Sequence, residues 1–291
     1  MYLLKRIRPL WIILALLALT AVGWAISELS GQANKSAADA GASSADMEMA
    51  SLETIKPSQK SPPCDWALEK RLRLQLEKQD KAYKPLVEKA RAETSAKGEV
   101  SAATGKQLMA SAQAFKKTSD QYAGMWASCK CATRANLARE TGATRLASAE
   151  LIVSGADSDK ADALKAQQNK MNEARHEYAA EAKANDELSD KDKAAIKASV
   201  TPRAQKLMTD TGNLVVQITN LLIQIKAQAS PAGLISGVGG CASKAATGGA
   251  TASASDSAME LLSPVTSLLS LAQGLASNAK GLMDDTSMLT Q

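Results

Sequence analysis

Four cysteines and one histidine, with a few glycine-rich turns, are the residues of this chain whose chemistry could reach beyond packing. Cys64, Cys129, Cys131 and Cys241 are an even set. In an oxidising compartment that favours two disulfides; a reducing one would favour thiols or a metal site. Four-thiolate zinc sites use tighter pairs such as C-x2-C, and no thioredoxin-like strand pattern surrounds the Cys129-x-Cys131 unit, so zinc and redox chemistry are the weaker readings.

Spacing supports the bridges. Cys64 lies about as far before the turn near Lys97 as Cys129 lies after it, so a helical hairpin folded there brings Cys64 beside Cys129 or Cys131. On a continuous helix residues i and i+2 point roughly 200° apart, which keeps Cys129 and Cys131 from bridging each other. One should therefore take Cys64 and the other Cys241, with the choice open.

The remaining motifs fail on context. Glu173-Ala174-Arg175-His176 is an E-x-x-H, the unit that di-iron bundles use twice, but with one histidine no second copy exists. Gly237-Val238-Gly239-Gly240-Cys241-Ala242 fits a loose dinucleotide fingerprint yet follows a helix, where a strand is required. Gly105-Lys106 lacks both the first glycine and the Ser or Thr of a phosphate loop. Asp284-Asp285 and the Asp157/Asp159 pair read as caps and solvated ends, not calcium loops. The expectation is a non-enzymatic protein with no catalytic residue, no metal and no cofactor.

The elements that position these residues read as helices. The chain is 45% hydrophobic but only 3% aromatic, with a single Phe, so alanine and leucine must do most of the packing. That composition favours close helices over sheets. Asp65 caps a helix interrupted or kinked by Pro85, and a turn follows at Ser95 to Gly98. Ser101 to Val153 is one long helix or two end to end, closed by Ser154-Gly155. Asp157 or Ser158 caps a charged helix reaching about Asn185, whose sparse apolar residues suggest a largely solvated surface. Ser189-Asp190 looks like a further cap. Thr201-Pro202 opens a helix whose seam is Leu207, Leu214, Ile218, Leu221 and Ile225, the best candidate for a central core element. Near the C-terminus Leu261, Leu268, Leu275, Leu282 and Leu289 recur every seven residues beside Val265, Ala272 and Ala279. Packing on the chain's own bundle explains that seam most simply, with self-association into a homo-oligomer and membrane contact as alternatives.

At the front, Pro9 to Ile26 carries no charge and follows Lys5, Arg6 and Arg8. As a helix this run spans about 27 Å, close to the roughly 30 Å hydrocarbon core. Trp11 and Trp24 sit near its ends, where indole rings favour the interface, and the basic flank orients the N-terminus to the cytoplasm. A cleavable signal ending near Ala21-Val22-Gly23 is the alternative. Either way the remainder is exported, in keeping with the cysteine reading. The net charge of +5 owes three units to that flank. The exported remainder is close to balanced in charge, which argues against a nucleic-acid partner.

The sequence thus reads as all-α, an elongated bundle of four to six helices behind an N-terminal transmembrane or signal helix. Its divisions are a membrane segment (1–28), a flexible tether poor in bulky residues (29–63), a helical bundle (64–228), a Gly/Ala/Ser loop (229–257) and an amphipathic C-terminal helix (258–291). The expected place is a bacterial inner membrane, single-pass with the bulk periplasmic, or soluble periplasm after cleavage. The expected role is a structural or adaptor subunit with envelope protein partners. A secretion-system or pilus-associated periplasmic subunit, or a periplasmic binding or immunity protein with one exported partner, is the alternative. The layout of export signal plus Ala-, Gln- and Lys-rich helices is broadly similar to periplasmic subunits of type IV secretion machines, a likeness of layout carried by no motif.

Overall fold

The computed structural model describes residues 4–55, 57, 62–229 and 248–291; the side chains of residues 1–24 and 229–258 lie outside that description. Among the described residues the chain is all-helical, with seven helices and no strand: α1 Leu4–Thr54, α2 Trp66–Lys97, α3 Ala102–Ser128, α4 Ala132–Ser154, α5 Ser158–Ala184, α6 Asp190–Ala229 and α7 Gly248–Thr290.

Most boundaries have a local cause. Asp65 accepts the Leu68 amide at 2.9 Å and Asp157 accepts that of Lys160 at 3.0 Å, each satisfying a donor that the first helical turn leaves unpaired. Gly98, at φ 80°, ends α2 in the left-handed conformation that glycine adopts without a Cβ penalty. Pro85 does not divide α2. The stretch after Ser101 is two helices, because Cys129, Lys130 and Cys131 break it, with Lys130 at φ 63°. Cys129 and Cys131 therefore flank a break instead of sharing a helix.

Thr201-Pro202 is not a helix start. It lies inside α6, which begins at Asp190 and passes through Pro202 about three turns later. The C-terminal helix likewise begins at Gly248, well before residue 258. The seam expected on α6 is buried in full, and on α7 all of its positions are buried except Leu261, which is half-buried. The C-terminal seam is covered by the chain's own bundle. Helix α5 is less solvated than its composition suggests, since Leu164, Met171, Ala174 and Tyr178 form a buried stripe.

The largest correction concerns residues 29–54, expected as a tether. They are the second half of α1 and the centre of the bundle. Between Ser36 and Ile55 only Asp46 is exposed, and Ala37, Ala40, Met47 and Ala50 have no solvent contact. Small side chains made the segment look unable to bury area. They are instead what lets other helices close on it from several sides, since Ala loses no rotamer entropy on burial and keeps the helix narrow. At Gly41 a Cβ would stand 2.5 Å from Cγ1 of Ile152 on α4, so only hydrogen fits.

Packing partners define the layout. Helix α1 lies against α2, α4, α6 and α7, while α2, α3, α4, α5, α7 and α6 succeed one another as neighbours around it. That circuit is open at one seam, because α6 and α2 do not pack on each other. Asn34 pins one end of the bundle: its amide donates to the Gly98 carbonyl at 2.8 Å, and its oxygen accepts the Ala156 amide at 2.7 Å.

Candidate functional site

Three buried arginines organise the interior, and no motif in the sequence marks any of them. Arg134 and Arg145 lie on one face of α4, three turns apart, and Arg175 lies on α5.

Arg145 is wholly buried. Its Nε donates to Glu48 of α1, and one terminal nitrogen donates to Asp80 of α2 at 3.0 Å. The guanidinium lies 4.4 Å from the Tyr83 ring centroid and 4.3 Å from that of Phe115, a cation–π sandwich that joins α2 and α3 to the pair. Ser148 and Ser44 donate to the other Glu48 oxygen at 2.8 and 3.1 Å. Burial pushes the Glu48 carboxyl up to about 7, although the Arg145 charge and these hydrogen bonds pull the other way.

Arg134 donates to Glu187 at 2.7 Å and stacks against Trp126 at 4.8 Å and Tyr178 at 5.5 Å. Tyr178 in turn donates to the Thr54 carbonyl at 3.1 Å, which ties the end of α1 to α5. Arg175 donates to Asp285 of α7 at 2.8 Å and to the Asn278 carbonyl at 3.3 Å. Arg145 and Arg175 bond across helices that hydrophobic contact alone would leave free to slide, and Arg134 ties α4 to the α5–α6 connection. A guanidinium suits that task because its rigid fork reaches several acceptors at once.

The candidates from sequence fall as follows. Cys64 and Cys129 form a disulfide with Cα atoms 5.3 Å apart, bridging the start of α2 to the end of α3 as the hairpin spacing predicts. Cys131 is half-buried and forms no disulfide among the described residues, with Arg134 donating to its sulfur at 4.0 Å. Cys241 lies outside the described residues, as do the side chains of Trp11 and Trp24. Glu173 and His176 are exposed on α5, and His176 lies 2.8 Å from Asp285. Among the described residues no group of three or more His, Cys, Asp or Glu side chains could hold a metal ion, and no helix is long and apolar enough to cross a membrane.

A cavity of about 500 Å³ lies at the open seam between α2 and α6, with α1 as its floor. Ala42, Ala45, Val87 and Leu214 give it an apolar strip, and charged residues ring the rim. Arg91 bonds Asp39 at 2.7 Å and Glu88 at 3.1 Å, while Lys84 stands 3.2 Å from Asp80 and 3.9 Å from Asp46. A polar rim over an apolar base is what a small-ligand site needs for orientation and contact area.

No protein-family model, no curated protein and no solved structure matches the chain.

Proposed function

We propose that this chain is a non-enzymatic structural or adaptor subunit of a bacterial envelope assembly, held at the inner membrane by its N-terminal apolar run with the bundle on the periplasmic side. The observation that carries the reading is the continuity of α1. One helix of 51 residues joins the uncharged run to the centre of the bundle. Such a helix fixes the bundle's orientation to its anchor where a flexible linker would let it swing, which suits a part that must present surfaces at a set height. The interior arginines fit the same role, since they direct their hydrogen bonds to neighbouring helices and to the α5–α6 connection. Envelope proteins are the partners in this reading, including those of secretion or pilus machinery.

The test is fractionation followed by purification in mild detergent from a cell with a double envelope. The full chain should remain in the carbonate-washed membrane pellet and co-elute with a stoichiometric envelope protein. Recovery in the soluble fraction as a lone monomer would count against both the anchoring and the adaptor role.

A further inference from the structure

The cavity at the α2–α6 seam holds more negative than positive charge. Five carboxylates line it, those of Asp39, Asp46, Asp80, Glu88 and Asp210, against three cations, Lys84, Arg91 and Lys206. The cations are already shared: Arg91 serves two carboxylates, Lys84 serves two, and Lys206 pairs with Asp210. Behind the wall Arg145 bonds both Glu48 and the lining Asp80, so its charge is shared between them. At least one carboxylate charge is left for a visitor to neutralise.

A second observation points the same way. Tyr83 lines the cavity, is 1% exposed, and its hydroxyl has no hydrogen-bond partner among the described residues. An orphaned buried hydroxyl costs on the order of 1–3 kcal/mol, so a ligand N–H that reached it would gain more than an equivalent bond at the surface. Ala45, Val87 and Leu214 line the same cavity, an apolar surface that can cover methylene groups but offers nothing to a compact hydrated ion.

From these features we propose that the seam binds linear aliphatic amines, with primary ammonium groups on the rim carboxylates, methylenes along the apolar strip, and one N–H donated to the Tyr83 hydroxyl. A free polyamine and the lysine side chains of a partner protein share this chemistry. The inference stands apart from the envelope role, because it requires neither anchoring nor an assembly.

The test is isothermal titration of the full chain in detergent with two probes, spermidine and a pentalysine peptide, against an Asp46→Asn, Asp210→Asn double variant and a Glu177→Gln control on the exposed face of α5. Both mutated carboxylates sit on the half-exposed rim, so the double variant should keep the parent's helical circular dichroism. We expect one saturable site for at least one probe, weakened about tenfold or more in the double variant and unchanged in the control. Binding of pentalysine alone would assign the site to a partner's lysines, and binding of spermidine alone to a free amine. Absence of binding by both, equal binding to the double variant, or complete displacement by magnesium chloride at matched ionic strength would overturn the proposal.

Discussion

Arg145 on α4 and Glu48 on α1 meet with no solvent on either side chain, in the C-terminal part of α1 that composition alone would place in a tether. A buried pair of this kind stabilises little relative to an apolar substitute, but removing one member strands the other. Arg145→Met should therefore cost about 3–5 kcal/mol, and adding Glu48→Gln should recover a large part of it. Urea unfolding of both variants checks this. Equal losses in the single and double variants would show that the pair is not coupled.

Glu48 also sets a pH dependence. Its folded carboxyl titrates near 7 against 4.5 when unfolded, so between those values the folded state holds a proton that the unfolded state has released. Its contribution to stability is complete below about 4.5 and is lost as pH rises through 7. The melting temperature should fall from pH 5 to pH 7.5, and Glu48→Gln should flatten that slope.

Glu93 acts in a separate window. It accepts the Ser101 amide and the Thr104 hydroxyl, both at 2.8 Å, and these bonds hold its carboxyl down to about 2. Its contribution is present above 4.5 and disappears as pH falls from there towards 2. Glu93→Gln should soften acid unfolding in that range without altering the slope above pH 5, a difference that melts recorded across pH 2–7 will resolve.

The Cys64–Cys129 bridge closes a loop of 65 residues between α2 and α3. By loop entropy its loss should cost about 4 kcal/mol. Cys64→Ser should lower the urea midpoint accordingly. Alkylation of the denatured parent without reductant should leave Cys64 and Cys129 unmodified.

Two glycine substitutions of the same chemistry should have opposite effects. Gly41→Ala forces a methyl against Ile152 and the Ser148 carbonyl, and should destabilise by about 1–3 kcal/mol. Gly212→Ala on α6 meets nothing within 4 Å and should be neutral or stabilising by up to about 1 kcal/mol, the helix propensity gain. Thermal melts of the two variants compare them directly.

Helix ends and seams were legible in the sequence because they depend on local rules. Asp65, Asp157 and Gly155 sit where capping chemistry places them, and the α6 seam shows the 3–4 period of a half-buried helix. Segments whose role depends on distant partners were not. Residues 36–54 of α1 are buried on nearly all sides, so they have no polar face to give a period, and their Ala and Ser content is shared with true linkers. The arginine clusters were equally silent. Arg145 looks like any helical surface cation until α1 delivers Glu48 and α2 delivers Asp80. The Asp80 to Tyr83 step, one helical turn, is a faint trace of that site in α2. The seam cavity depends on which helices fail to touch, a property of the whole arrangement.

Helix α1 is the axis of the bundle, and native-state hydrogen exchange over residues 36–54 reads this directly. Those amides should exchange as slowly as the slowest in α4 and α7, and only through global unfolding. Exchange at the rate of an unstructured chain, while α4 and α7 stay protected, would contradict it.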